Sequence, residues 1–239
     1  MGTSPVVLVV EHQASCPPAW FGDWLAEAGV VLELRRPYQG DELPRSLAGT
    51  GGLLVLGGAM GADDIARHPW LTATMDLIVR AADSDVPTLG ICLGHQLVVS
   101  ALGGSVAPNP RGREIGVRPV DWLPAATSDP LFTTAVTSTC VALYWNNDVV
   151  SRVPEDGQVL ARAGTGEIQA LRVGEGIWGV QFHPEVSPDL VRTWAEEERA
   201  TGSLCELDDV VAEVRVNEPL LQATWRELAV SFAALAGAP

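Results

Sequence analysis

Three short stretches of this sequence, residues 6–10, 53–56 and 86–91, are almost entirely apolar and lie far apart along the chain. Strands buried on both faces have this composition, whereas strands with one solvated face alternate apolar and polar residues. Stretches with helical spacing, residues 20–28 and 70–82, lie between them. This alternation predicts a parallel sheet with helices packed on both faces.

The chain changes character after the glycine pair at residues 103–104. Five short apolar segments follow, without long helical stretches between them. Neighbouring parallel strands need a long crossover connection, usually a helix, so this part of the chain must pair partly antiparallel. The predicted strands are residues 115–120, 139–144, 159–163, 168–173 and 177–182.

Helical spacing returns at residues 188–200 and continues in two further stretches, residues 204–214 and 218–235. In the last stretch the apolar residues recur every three or four positions and form a face that needs a partner surface. We therefore predict one α/β domain over residues 1–199 and a helical C-terminal extension, residues 200–239, packed on the same domain.

A cysteine stands between two glycines, in the order Gly90-Ile-Cys92-Leu-Gly94, at the end of the third apolar stretch. This order is typical of a nucleophile elbow, a sharp turn from strand to helix that lifts one side chain out of the sheet. The N-terminus of the following helix favours the thiolate, which is the form that attacks. Alone, the pattern is also compatible with a buried structural cysteine in such a turn.

A histidine and a carboxylate follow another apolar stretch, in the order His183-Pro184-Glu185 after residues 177–182. A thiol nucleophile needs a base that takes its proton, and the base needs a group that orients it. Cys92, His183 and Glu185 can supply these three roles. Taken alone, the His-Pro-Glu segment is also compatible with an ordinary surface turn.

Together these motifs resemble those of the class I glutamine amidotransferases of the triad type. The segments that carry the resemblance are Gly-Ile-Cys-Leu-Gly-His-Gln at 90–96, Gly-Val-Gln-Phe-His-Pro-Glu at 179–185 and Leu-Leu-Val-Leu-Gly-Gly-Ala-Met at 53–60. Within the family the chain resembles stand-alone proteins similar to the glutaminase domain of GMP synthase. The resemblance implies a flavodoxin-like fold of three layers, with a mostly parallel central sheet, flanking helices and a small antiparallel portion.

The resemblance also implies a reaction. Cys92 is expected to attack the side-chain amide of glutamine, His183 to move the proton, and Glu185 to hold the imidazole. Ammonia then leaves, and a glutamyl thioester remains to be hydrolysed. The backbone N–H groups of Gly58 and Leu93 are expected to form the oxyanion hole.

Substrate contacts are expected at two further positions, Gln96 and Asn147. Gln96 lies one helical turn after the cysteine, where it either contacts the substrate or caps a neighbouring loop. Asn147 stands where many relatives have the glycine of a Ser-His-Gly-Asp segment. Asparagine tolerates the left-handed conformation, so we expect the loop to keep its shape. Asn146 replaces the histidine of that segment, and the contact made by the histidine is not expected here.

No motif in the sequence identifies the acceptor of the ammonia. The chain has no P-loop and no Ser-Gly-Gly-x-Asp loop with which to activate an acceptor. We therefore expect a synthetase or other acceptor enzyme as partner, with L-glutamine as substrate. One alternative is a γ-glutamyl peptidase or hydrolase that uses the same three residues on a γ-glutamyl amide. A second alternative is a non-catalytic protein that keeps the pocket for ligand binding.

Composition disfavours several other partners. The formal net charge is −15, from 15 basic and 30 acidic residues, which argues against nucleic acid and anionic membrane surfaces. The apolar stretches are too short to cross a bilayer, and the N-terminus lacks the basic region of a signal peptide. The four cysteines show no C-x-x-C pairing. We therefore expect a cytoplasmic protein that uses neither a cofactor nor a metal.

A partner is expected to dock where the site opens, at the edge formed by the carboxyl ends of the strands. The loops expected to be covered are 58–64, 109–114 and 145–149. Arg111 and Arg113 stand out in the second loop because basic residues are scarce in this chain. We expect them either to meet acidic groups of a partner or substrate, or to be simply solvated.

Overall fold

A computed structural model describes residues 4–136, 140–200 and 207–238. In chain order its elements are β1 (Val6–Val10), α1 (Ala19–Glu27), β2 (Val31–Arg35), β3 (Gly52–Val55), α2 (Trp70–Asp83), β4 (Thr88–Ile91), α3 (Leu93–Ala101), β5 (Ser105–Pro108), β6 (Glu114–Pro119), β7 (Asp121–Trp122), β8 (Val141–Asn146), β9 (Asp148–Arg152), β10 (Gly157–Arg162), β11 (Ile168–Val173), β12 (Ile177–Val180), α4 (Pro188–Ala200) and α5 (Leu207–Leu235). Short 3-10 turns lie at Pro37–Gln39, Asp64–Ala66 and Pro124–Ser128.

One mixed sheet of eight strands forms the middle layer, in the order β2-β1-β3-β4-β12-β11-β10-β7. The strands from β2 to β12 run parallel, and β11, β10 and β7 continue the sheet antiparallel. Two further pairs, β5 with β9 and β6 with β8, form small antiparallel sheets. The predicted combination of a parallel sheet with an antiparallel portion is confirmed.

Both faces of the four inner parallel strands are buried, whereas the edge strand β2 is partly exposed. In β1, Val7 and Val9 belong to an apolar cluster that includes residues of α1, α4 and α5. Leu8 and Val10 belong to a second cluster, which includes residues of α2 and α3. Helices therefore cover the sheet from both sides, which explains why the strand sequences are apolar without alternation. The predicted three-layer arrangement is confirmed.

Most predicted strands are present with small shifts of their ends. The strand predicted at 168–173 coincides with β11. Residue 139 of the strand predicted at 139–144 lies outside the described residues, and β8 begins at Val141. Sequence patterns did not predict β5, β7 and β9. These strands are short or partly exposed, and β5 and β9 end in proline and arginine, so they lack the continuous apolar pattern.

The two predicted C-terminal stretches, which we expected to be separate, form one helix. α5 runs without interruption across Pro219, while residues 204–206 of the first stretch lie outside the described residues. A proline inside a helix removes one hydrogen bond and costs about 3 kcal/mol. Buried side chains continue on both sides of it, at Val214 and at Leu221. Packing along this face therefore outweighs the lost hydrogen bond.

α5 packs into the same core as the sheet. The ring centroids of Trp225 and Phe182 lie 4.6 Å apart, and those of Phe232 and Phe21 lie 6.5 Å apart. All four side chains are fully buried. The division of the chain between residues 199 and 200 stays a prediction. None of the described helices is long and apolar enough to cross a membrane, and the cytoplasmic location also stays a prediction.

Gly94 marks a close approach between α3 and the sheet. A Cβ at this position would lie 2.0 Å from the carbonyl oxygen of Val55, a backbone atom that no side-chain rotation can move away. We expect Gly94→Ala to lower the free energy of unfolding by about 3 kcal/mol, because the backbone must shift. Gly164→Ala is the control, since a Cβ there would meet Asp121 Oδ2 at 3.7 Å. Urea unfolding of both variants tests the prediction, and equal stabilities would contradict it.

Candidate active site

A sharp turn between β4 and α3 carries Cys92. Its backbone has φ 52° and ψ −105°, a conformation that residues with a side chain rarely adopt. A Cβ at Gly90 would lie 2.4 Å from the carbonyl oxygen of Gly94, so the turn is closed too tightly for another residue there. The N–H of Cys92 donates to the carbonyl oxygen of Val180 at 2.8 Å and joins the turn to β12.

A buried histidine and carboxylate follow the neighbouring strand. His183 Nδ1 and Glu185 Oε1 are 2.7 Å apart, and the two residues are 3% and 1% exposed. Burial by itself lowers the pKa of His183, but the charges of Glu185 and Cys92 outweigh it and raise the pKa to about 10. A hydrogen bond with Cys92 contributes to the same shift. The arrangement therefore favours the protonated form of the His183 imidazole.

The sheet brings the thiol and the imidazole together. β4 and β12 are parallel neighbours, so the residues that follow them lie at the same edge. Gly57 lies beside both, because an added Cβ there would be 3.6 Å from Cys92 Cβ and 3.3 Å from His183 Cε1. The thiol sulfur also lies 3.6 Å from Gln181 Nε2 and 3.9 Å from the carbonyl oxygen of Trp145. The structure thus unites residues from three separate segments of the sequence.

Two backbone N–H groups lie near the thiol of Cys92. Within the described residues, the N–H groups of Gly58 and Leu93 donate to no acceptor. Leu93 is the first residue of α3, where N–H groups have no partner within the helix. An added Cβ at Gly58 would lie 3.1 Å from Leu93 Cδ2, so the two residues are close neighbours. Their role as an oxyanion hole stays a prediction, with the N–H groups available for it.

A cavity of about 690 Å³ opens over the thiol. The predicted site residues that line it are Gly58, Cys92, Gln96, Asn147 and His183. Glu185 contacts the imidazole from outside the cavity. The volume suits a small-molecule substrate. Nowhere in the described residues do three or more His, Cys, Asp or Glu side chains form a group that could hold a metal ion.

Gln96 and Asn147 both line the cavity, and their roles as substrate contacts stay predictions. Gln96 Nε2 lies 3.4 Å from the carbonyl oxygen of Asp148 and 3.3 Å from Gln181 Oε1, so it holds a loop while lining the cavity. Asn147 does not have a positive φ, so the loop does not use the left-handed conformation that asparagine tolerates. Asn146 closes the turn instead, because its Nδ2 donates to the carbonyl oxygen of Asp148 at 3.1 Å. This side-chain hydrogen bond stabilises the turn between β8 and β9.

One wall of the cavity was not predicted. α4 brings Trp194, Glu197 and Glu198 to the rim, and the loop after β1 adds Gln13. The Trp194 ring meets the His183 ring edge-on, with centroids 4.7 Å apart. The α4 residues are spaced by three and four, so the helical pattern does place them on one face. Nothing in the sequence indicates that this face meets the ends of β4 and β12.

Arg111 and Arg113 are both paired within the chain. Arg111 Nη1 donates to Glu167 Oε1 at 2.8 Å. Arg113 donates to both carboxylate oxygens of Glu198, and its guanidinium lies 5.6 Å from the centre of the Trp145 ring. These pairs show that the arginines are not simply solvated. The Arg111 side chain is 53% exposed and Arg113 lines the cavity, so contact with a partner or an acidic substrate stays a prediction. Both hold the loop 109–114 against the rest of the domain.

The chain belongs to the class I glutamine amidotransferase family. The family profile described as glutamine amidotransferase class-I matches residues 23–194, well over half of the sequence. The glutamine amidotransferase-like protein YfeJ of Salmonella typhimurium is 27% identical over 92% of this chain and 94% of its own. One of the subunits of the glutamine-hydrolysing GMP synthase of Haloquadratum walsbyi is 34% identical over 68% of this chain and 80% of its own. γ-Glutamyl peptidase 4 of Arabidopsis thaliana is 28% identical over 51% of this chain and 49% of its own.

The fold of a solved relative agrees. A crystal structure of a glutamine amidotransferase from Thermotoga maritima superimposes with a TM-score of 0.86, over 96% of this chain and 98% of that one, at 23% identity. The overlap is too long to leave out α5, so the C-terminal helix belongs to the shared fold. The predicted flavodoxin-like class I glutamine amidotransferase fold is confirmed.

The charge of Glu185 is expected to control the protonation of His183. We expect Glu185→Gln to lower the pKa of His183 by more than about one unit. Burial lowers this pKa, and the negative charge that chiefly counteracts burial is then removed. Nitrogen NMR of the histidine side chains across the pH range measures this. Glu196→Gln is the control, since it removes one exposed carboxylate from the surface of α4. An unchanged His183 pKa in Glu185→Gln would contradict the arrangement.

The same pair makes stability depend on pH in a known direction. The pKa of His183 is raised in the folded state from 6.5 to about 10. The pair therefore stabilises the folded protein fully below pH 6.5, and this contribution is lost as the pH rises towards 10. The difference in unfolding free energy between wild type and Glu185→Gln should shrink over that interval.

Proposed function

We propose that this chain releases ammonia from the side-chain amide of L-glutamine, or of a closely related γ-glutamyl amide, by cysteine catalysis. One observation carries the proposal. A thiol on a strained turn lies beside a histidine, and a buried carboxylate lies 2.7 Å from that histidine. Nucleophilic amide hydrolysis requires a thiol, a base and an orienting acid in this relation.

The reaction begins at the thiolate of Cys92, which attacks the amide carbon while His183 holds the proton. The carbonyl oxygen becomes an oxyanion and accepts hydrogen bonds from the N–H groups of Gly58 and Leu93. His183 then gives its proton to the departing nitrogen, the carbon–nitrogen bond breaks, and ammonia leaves. A water molecule, deprotonated by His183, attacks the remaining thioester. Glutamate leaves, and the thiolate is restored with the protonated histidine.

Glu185 serves this cycle through its charge. It holds the imidazole in one orientation through Nδ1 and stabilises the protonated ring without taking the proton itself. Both side chains are almost fully buried, so solvent screens this interaction little. The remaining substrate contacts proposed here are made by Gln96 and by the loop at Asn147, both of which line the cavity.

The use of the ammonia is a further part of the proposal. The cavity opens at the carboxyl ends of the strands, and loops 58–64 and 145–149 both contribute to its lining. A synthetase that covers this opening would receive ammonia before it reached solvent. The similarity to one component of a GMP synthase supports an acceptor enzyme as partner. The similarity to a γ-glutamyl peptidase supports the alternative, hydrolysis of a γ-glutamyl amide without any partner.

Cys16 offers a matched control for the nucleophile, because it lines the same cavity as Cys92. Its pKa is raised, first by burial and then by the charges of Glu185 and Cys92, so it stays a neutral thiol. We expect Cys92→Ala to lower turnover by more than about 10³-fold, and Cys16→Ala to retain nearly all of it. A glutamine-like electrophile such as diazo-oxo-norleucine should label Cys92 alone, as mapped by mass spectrometry. Labelling of Cys16 or Cys140 would argue against the assignment.

Substrate comparison separates the donor from the peptidase. We expect the isolated chain to release ammonia from free glutamine slowly, below about 1 s⁻¹, the lower end of the usual enzyme range. Relatives commonly couple this step to an acceptor domain, which would have to come from a partner. Ammonia release from glutamine is measured beside amino-acid release from γ-glutamyl dipeptides. Faster cleavage of the dipeptides would favour a peptidase, and binding without turnover of either would favour a non-catalytic protein.

A further inference from the structure

The loop that carries the predicted oxyanion donor is held by a side chain from another segment. Gly58 lies between the end of β3 and the 3-10 turn at Asp64–Ala66, outside any regular element. The next residue, Ala59, donates its N–H to Oε1 of Gln13, with a distance of 3.0 Å. Gln13 belongs to the loop after β1, so one hydrogen bond connects two loops at the carboxyl edge of the sheet.

A short chain of hydrogen bonds fixes the orientation of the Gln13 amide. Gln13 Nε2 lies 2.6 Å from Ser15 Oγ and 3.3 Å from Glu197 Oε2, and Ser15 Oγ donates to Glu197 Oε2 at 2.9 Å. A peptide N–H can only donate, and an ionised carboxylate can only accept. The direction of every hydrogen bond from Ala59 to Glu197 is therefore determined. A flipped amide at Gln13 would lose the bond from the Ala59 N–H and the bonds to Ser15 and Glu197.

α4 anchors this chain of bonds and also contacts the catalytic base. Glu197 lies one turn after Trp194, whose ring packs edge-on against His183 with centroids 4.7 Å apart. Trp194 Nε1 also donates to the carbonyl oxygen of Ser15 at 2.5 Å. α4 thus contacts the imidazole of His183 through Trp194, and it contacts Gln13 through Glu197.

We propose that Gln13 is a positioning residue: it holds the peptide that follows Gly58 and thereby keeps the N–H of Gly58, in the preceding peptide, in the geometry of the oxyanion hole. Glu197 orients Gln13 for this task. This inference rests on the proposed function, because it assigns Gln13 to the same site. Gln13 also lines the cavity, so a direct substrate contact is the competing explanation. The two explanations differ in what a substitution does to kcat and to KM.

The first measurement requires no turnover. Gln13→Met removes the acceptor at almost constant side-chain length. Amide hydrogen exchange in the segment 57–61, followed by mass spectrometry, should become about fivefold faster, as expected when one hydrogen bond is lost. Glu197→Gln should give a smaller increase, because the acceptor of the Ala59 N–H remains. Glu196→Gln is the matched control: it makes the same change one residue earlier on α4 and should leave the exchange unchanged.

The second measurement is kinetic. Gln13→Met should lower kcat about tenfold, less than the loss of a whole oxyanion donor, with KM changed less than about twofold. The double variant Gln13→Glu with Glu197→Gln should recover much of the rate. The carboxylate at position 13 still accepts from Ala59, and the amide at position 197 can donate to it. Gln13→Glu alone places the carboxylates at positions 13 and 197 in contact and should not recover the rate.

The outcomes separate failure of this inference from failure of the proposed function. Unchanged exchange in Gln13→Met, or equal effects of Glu196→Gln and Glu197→Gln, would overturn the positioning role whether or not the protein turns over glutamine. A rise in KM at constant kcat would overturn it in favour of direct substrate contact. If wild type hydrolyses no γ-glutamyl amide, the proposed function fails, and the exchange measurement alone decides the structural part.

Discussion

The parallel pairing of β4 with β12 determines where the thiol and the imidazole meet. Ile91 pairs with Val180, and the next N–H, that of Cys92, donates back to Val180 across the same pair. The loop after β12 then delivers His183. A shift of one residue between these strands would turn every side chain to the opposite face. Both faces are packed, so the apolar core fixes the register and thereby the geometry of the candidate site.

The C-terminal helices extend this control to the base. Phe182 directly precedes His183, and its ring packs against Trp225 of α5 with centroids 4.6 Å apart. On the other side of the chain, Trp194 of α4 meets the imidazole itself. The histidine therefore lies on a short segment held by aromatic side chains from two helices. The helical extension is for this reason a support of the site as well as a part of the core.

Local patterns in the sequence were sufficient for the apolar strands, the turn at Cys92 and the His-Pro-Glu segment, because each depends on residues close together in the chain. Contacts between distant segments were not predictable in this way. Gln13 meets Glu197 across 184 positions, and no feature of either neighbourhood indicates the other. The C-terminal helix shows the opposite error, since local spacing separated residues 204–214 from residues 218–235, whereas packing continues α5 across Pro219. The turn between β8 and β9 is a third case, because the hydrogen bond from the Asn146 side chain to the carbonyl oxygen of Asp148 was not predicted.

The backbone of Cys92 also bears on how this protein could be engineered. A residue with φ 52° and ψ −105° is strained unless it is glycine, and such strain costs about 1–3 kcal/mol. A library selected for heat resistance alone would therefore tend to replace Cys92, because glycine at this position relaxes the turn. Thermostability and reactivity are opposed at this one residue. Designs that aim for a sturdier enzyme should hold it constant and seek their gains on the solvent-facing helices.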